Sequence, residues 1–197
     1  MVRSLAVALV LAPLAASAQP SISFSGFGGE KRASEDYDNE GLRAYGVEGT
    51  LGASESRFRL LLAWERSWHA VDGGFLSSTE VAGGFRIQPK DSEIPVTPFL
   101  DVGIANVRLK NAARAGAVVV TDSDSALGVM AGAGIRYGFG AATVGAFVRY
   151  TSAHADFGTN QNVDIGGFHA GLTLGFVWPP RASVLDSRGD APSEDGF

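Results

Sequence analysis

The sequence predicts an all-β fold: an eight-stranded antiparallel up-and-down transmembrane β-barrel. Three observations predict it. Hydrophobic residues recur with a period of two rather than 3.6. The face opposite the apolar one carries glycines and a balanced set of charges. Long polar connections alternate with short ones, as they do when a barrel has one side facing outward from a membrane and one facing inward.

Composition narrows the class first. The chain has 197 residues, 26 of them Gly, no Cys, and a formal net charge of -5. Without Cys there is no disulfide framework, no thiolate metal site and no Cys nucleophile. A pI near 5.2 argues against a nucleic-acid binder, which needs a basic face for phosphates. Hydrophobic residues make up 45% and charged residues 19%, too apolar a balance for a disordered chain. Mean hydropathy is only +0.10, and no apolar run approaches the roughly 20 residues of a membrane helix.

Residues 1–18 read as a secretory signal peptide. Arg3 supplies the positive end, Leu5 to Ala12 the apolar stretch, and Ala16-Ser17-Ala18 the small-residue cleavage site. The mature chain then starts at Gln19 and loses one positive charge. No Cys follows the cleavage site, so lipidation there is excluded. The expected destination is beyond the inner membrane of a bacterium, reached by the general secretory route.

The eight strands are read at roughly 20–30, 42–52, 57–65, 78–88, 97–108, 126–138, 142–152 and 163–178. The clearest is Arg57 to Glu65. There Phe58, Leu60, Leu62 and Trp64 share one face, and Arg57, Arg59, Ala63 and Glu65 the other. Across the strands the second face collects Gly128, Gly132, Gly134, Gly145 and Gly171. It also collects Glu48, Arg59, Glu65, Glu80, Arg86, Asp101, Arg136 and Arg149. Four acids face four bases, a set able to pair internally. In lipid each would cost several kcal/mol near the midplane, on the order of 2–4 for a base. The charged face is therefore assigned to the lumen and the apolar face to hydrocarbon. Tyr45, Trp64, Trp68, Phe85, Tyr137, Tyr150, Phe176 and Trp178 lie toward strand ends, as interfacial girdles do.

Long connections are read near 31–41, 69–77, 109–125 and 153–162, and short turns near 53–56, 89–96 and 139–141. Lys31 is placed in the first long loop, Lys31 to Glu40, with four acids and two bases. In the third, Ala117 to Val120 either continues the flanking strands as a hairpin or offers an edge to a partner. Pro179-Pro180 stops the last strand. Residues 179–197 follow as a polar periplasmic tail, whose Arg188-Gly189-Asp190 is read as chance.

The chain resembles the small eight-stranded outer-membrane barrels: the OmpA transmembrane domain, OmpX and the opacity-type surface proteins. The residues that carry the likeness are Tyr45 to Gly52, Thr97 to Ala105 and Val129 to Tyr137. The last strand adds His169, Gly171, Leu174 and Phe176, with Trp178 extending the alternation. By resemblance these form the signal read by the outer-membrane insertion machinery. The likeness covers about 20–178. It implies a structural or surface-interaction role through the loops, no wide pore, no catalysis, and no cofactor or metal. The implied partners are outer-membrane lipid and lipopolysaccharide, the insertion machinery and a possible surface ligand.

Two other readings are open. A lipid A-modifying barrel enzyme would need a serine within reach of a histidine base. His69 lies beside the second long connection with no serine at matching spacing, His169 is read as a buried His on the lumen face, and His154 stands near the outer end of its strand in Ser152-Ala-His154-Ala-Asp156, an order reversed from His-x-Ser. A soluble lipocalin-like periplasmic barrel would instead turn its apolar residues inward.

Overall fold

In the computed structural model the described residues are 19–32, 41–54, 56–71, 74–89, 95–115, 118–157 and 160–180. Ten strands form: β1 (Pro20–Arg32), β2 (Gly41–Ala53), β3 (Phe58–Val71), β4 (Gly74–Ile87), β5 (Val96–Ala115), β6 (Val118–Phe139), β7 (Ala142–Ser152), β8 (His154–Phe157), β9 (Asn160–Asp164) and β10 (Gly167–Trp178). Eight of them close a barrel in the order β1-β10-β7-β6-β5-β4-β3-β2, while β8 and β9 form a separate two-stranded sheet. Every barrel pairing is antiparallel, and β1 closes on β10 with Phe24 opposite Phe176.

Alternation decides which way each side chain points. Along β3, Arg59, Leu61, Ala63, Glu65 and Ser67 are buried, while Phe58, Leu60, Leu62, Trp64 and Trp68 are exposed. The same parity holds around the barrel, so Leu62 (71% exposed), Leu127 (69%) and Leu172 (70%) stand on the outside. On β10 the outward run from Phe168 to Trp178 covers about 34 Å of strand at ~3.4 Å per residue. Tilted as barrel strands are, it matches an apolar band about 25 Å tall. The aromatics predicted for the girdles all face outward.

Three expectations are corrected. First, the 69–77 and 109–125 connections are mostly strand. β3 and β4 stay paired to Val71 and Gly74, and β5 and β6 to Ala115 and Val118. Thr121-Asp-Ser-Asp-Ser125 has no apolar face, so periodicity fades although backbone pairing continues. Of the third-loop patch, residue 117 lies outside the described residues, and Val118–Val120 continue the hairpin. Second, the predicted strand 163–178 is two elements, because the chain turns at Ile165-Gly166 between β9 and β10. Third, Lys31 is not a loop residue. It is 2% exposed and points into the barrel from the end of β1. The turn at 139–141 is tight, with Gly140 at φ +63, a conformation that favours glycine. The signal-peptide segment 1–18, most of the first loop (33–40) and the tail from 181 lie outside the described residues.

Candidate functional site

The interior is the chemically distinctive part of the molecule. All eight predicted lumen residues are buried, from Arg86 at 0% to Arg136 at 7% exposed. They fall into two clusters at different heights, and neither was separable in the sequence.

The cluster nearer the short turns is built around Arg86. Its cross-strand partner is Asp101, and the guanidinium donates to both carboxylate oxygens at 2.8 Å. The opposite edge of the same fork donates to Glu48 Oε1 and Oε2 at 2.9 and 3.1 Å. Glu48 also accepts from Arg136 and Arg149, each at 3.2 Å. Bidentate pairs of this kind are the strong ones. Arg86 lies 3.9 Å from the Phe99 ring centre, and Arg149 lies 5.7 and 5.3 Å from those of Phe27 and Phe147. These three are the inward-facing phenylalanines among the described residues. Glycine makes room for them: a Cβ at Gly46 would stand 2.4 Å from Phe27, and one at Gly134 the same distance from Phe99. Arg59, the cross-strand neighbour of Arg86, donates to Ser21 Oγ at 2.6 Å.

The second cluster lies toward the long connections. Register sets Glu65 directly opposite Glu80 on β3 and β4. Like charges so placed repel, and Lys31 resolves the conflict from across the lumen. Its Nζ lies 3.2 Å from Glu65 and 2.9 Å from Glu80. Thr151 donates to Glu80 at 2.8 Å, and His169 Nδ1 lies 2.6 Å from Glu65 Oε2. Lys31 is absent from the predicted lumen charges, and His169, expected on the lumen face, joins them there. The parity of β1 carried them: Ser21, Ser23, Ser25 and Phe27 point inward, and two further steps of two reach residue 31, whose partner on β10 is His169.

Above this cluster the interior turns apolar. Leu42, Leu76, Val107, Leu109 and Met130 pack with Ala153, Ala155, Val163 and Ile165. The last four come from the segment that carries the β8–β9 hairpin, which therefore stoppers this mouth. Asp164 holds it there, accepting from the backbone of Ala153 and Gly166 and from Tyr150 Oη.

Of the residues predicted for the insertion signal, His169 faces the lumen, and Leu174, Phe176 and Trp178 face outward. Gly171 sits inside, where a Cβ would stand 3.0 Å from the Phe147 ring. Ser152, His154 and Asp156 do not assemble into a hydrolase site. His154 is exposed, and the Asp156 carboxylate accepts from the backbone of Asn162. A hollow of about 1020 Å³ lies on the outer wall over β1, β10, β7 and β6, where Gly26 and Gly28 lower the surface between Leu172, Leu174 and Ile135. It belongs to the lipid-facing belt.

Charges inside and hydrocarbon-facing side chains outside define the class of this protein: a small eight-stranded transmembrane β-barrel. Comparison with solved structures bears out that fold. The barrel is similar to Neisserial surface protein A, NspA (TM-score 0.53, 15% identity, 79% of this chain and 96% of that one). It is similar to Ail, the attachment invasion locus protein of Yersinia pestis (TM-score 0.53, 12% identity, 82% and 99%). The N-terminal β-barrel domain of Pseudomonas aeruginosa OprF matches with a TM-score of 0.48 at 17% identity over 82% of this chain and 99% of that one. At such identities the likeness to NspA and Ail is one of fold. No protein-family model matches the sequence, and no curated protein matches it significantly.

Proposed function

We propose that this chain is an integral outer-membrane barrel of a Gram-negative bacterium, with a structural or surface-interaction role and no catalysis. One observation carries the reading: the sorting of residues across the barrel wall. Ten charged or imidazole side chains from Lys31 to His169 are buried, while Leu62, Leu127 and Leu172 stand about 70% exposed. In water that arrangement is inverted, and in a bilayer it is the low-energy one. Filled by ion pairs, phenylalanines and the apolar stopper, the interior suits a solid plug rather than a diffusion pore, as expected for eight strands. The projecting β5–β6 hairpin and the β8–β9 hairpin are the surfaces offered to partners. Export through the secretory route and insertion guided by β10 complete the proposal.

Heat modifiability tests it. The membrane fraction is run on SDS gels with and without boiling. A membrane-retained band whose mobility changes on boiling is the expected result. A soluble band without a shift would overturn the reading in favour of a periplasmic barrel.

A further inference from the structure

The outer surface just above the apolar belt carries a second ordered set of charges, on β2 to β5. Register lays it out as two rows. One row reads Tyr45, Arg66, Thr79, Arg108 and the next reads Arg43, Trp68, Ser77, Lys110, each crossing four neighbouring strands. Immediately below, the rows turn mostly apolar: Val47, Trp64 and Val81 with Asn106 on β5, and then Leu62 and Ile104. At ~4.8 Å between strands and ~7 Å between same-face residues, the patch measures about 14 by 7 Å.

Arg43, Arg66, Arg108 and Lys110 are all exposed. No carboxylate among the described residues pairs with any of them. Arg43 and Lys110 instead rest beside rings, 6.0 Å from Trp68 and 5.9 Å from Phe75. The arrangement is one-sided. Continued around the barrel, the same rows meet Ser125 and Ser123 on β6, and Gly28 and Glu30 on β1. The one exposed cation of β1 in this region, Arg32, is paired with Glu30 at 3.5 Å.

We propose that this patch seats the phosphate headgroup of an anionic lipid in the leaflet at the long-connection end. The argument rests on the membrane placement proposed above. Charge complementarity and continuity with the belt select the occupant. Four unneutralised cations sit where acyl chains end and headgroups begin. Arginine forks match phosphate oxygens, and the Thr79 and Ser77 hydroxyls between them can donate to the same group. The belt below receives the acyl chains, which a soluble phosphate compound lacks.

The test uses the full barrel, purified in zwitterionic detergent and moved into phosphatidylcholine bicelles with or without phosphatidic acid. Retained lipid is counted by native mass spectrometry, and the thermal midpoint is followed by the heat-shifted band. Phosphatidic acid is expected to be retained and to raise the midpoint, while glycerol phosphate does neither. The variant R43Q/R66Q/R108Q/K110Q should lose retention by about five-fold per charge removed, and Arg57→Gln, exposed beside the short turns, should lose none. Where the four-fold variant lacks a heat-shifted band, R66Q/R108Q replaces it, since neither residue makes a side-chain hydrogen bond, ion pair or ring contact among the described residues. Undiminished retention by a variant that keeps its heat-shifted band overturns this inference alone. So does an equal effect of glycerol phosphate. A wild-type band without a heat shift overturns the barrel reading itself.

Discussion

At the scale of single residues, Arg86 and Lys31 are the two keystones. Each is fully buried and each separates a pair of carboxylates, Glu48 from Asp101 and Glu65 from Glu80. Breaking a buried pair from one side leaves uncompensated charge, at a cost of about 3–5 kcal/mol. Arg86→Leu should therefore lower unfolding stability by that amount in a urea titration read by the folded band on unboiled gels. Arg57→Leu, exposed and outside the strands, should change it by no more than about 0.5 kcal/mol. Lys31→Leu should resemble Arg86→Leu, and adding Glu80→Gln should recover about 0.5–3 kcal/mol of the loss. Equal effects of Lys31→Leu and Arg57→Leu would show that the interior pairing does not stabilise the fold. The charges of this network were legible because parity is a local property of a strand. Their partners were not, since Glu48 and Arg86 are 38 residues apart and meet across the lumen. Lys31 escapes the pattern for a related reason: a polar segment follows it at once, so alternation does not mark the end of β1 at Arg32.

Among the elements, the β8–β9 hairpin was the least legible. Its four- and five-residue strands are too short for alternation to rise above chance, and Val163 and Ile165 read as the start of the last barrel strand. Their burial at 7% and 2% comes from the mouth they fill, which only the closed barrel creates. A stopper so placed makes a direct prediction, helped by the absence of native Cys. Ser67→Cys, at a site 0% exposed just inside the mouth, should resist a water-soluble maleimide. Adding Val163→Asp and Ile165→Asp should raise the labelling rate on the order of ten-fold or more as the hairpin opens. An unchanged rate would mean that the hairpin is not the seal. The β5–β6 hairpin shows the opposite limit of sequence reading: its 20- and 22-residue strands exceed the bilayer, and beyond it no hydrophobic contrast marks them.

For the whole molecule, the direction in which the barrel is turned was legible from composition and parity together. A face rich in Glu and Arg cannot meet hydrocarbon, and one rich in Leu and Phe fills no need in a charged lumen. Leu172→Arg on the belt should consequently cost about 2–4 kcal/mol near the bilayer midplane. Ser125→Arg, exposed on the projecting hairpin, should stay within about 0.5 kcal/mol. Folding into vesicles, followed by the mobility shift, measures both, and equal costs would remove the lipid-facing assignment. The separation of the two interior clusters has a consequence for the molecule as an electrical object. Among the described residues, Arg59, Arg86, Arg136 and Arg149 lie on the side of the short turns with Glu48 and Asp101, and Lys31 lies toward the long connections with Glu65 and Glu80. Glu80 and Arg86 are six residues apart on β4, about 20 Å along the strand. Among the described interior residues, positive charge thus exceeds negative toward the short turns and negative exceeds positive toward the long connections, which gives this set of charges an axial dipole. A voltage across the membrane acts on such a dipole with opposite sign for its two orientations, so the bilayer's field can tell one end of this protein from the other.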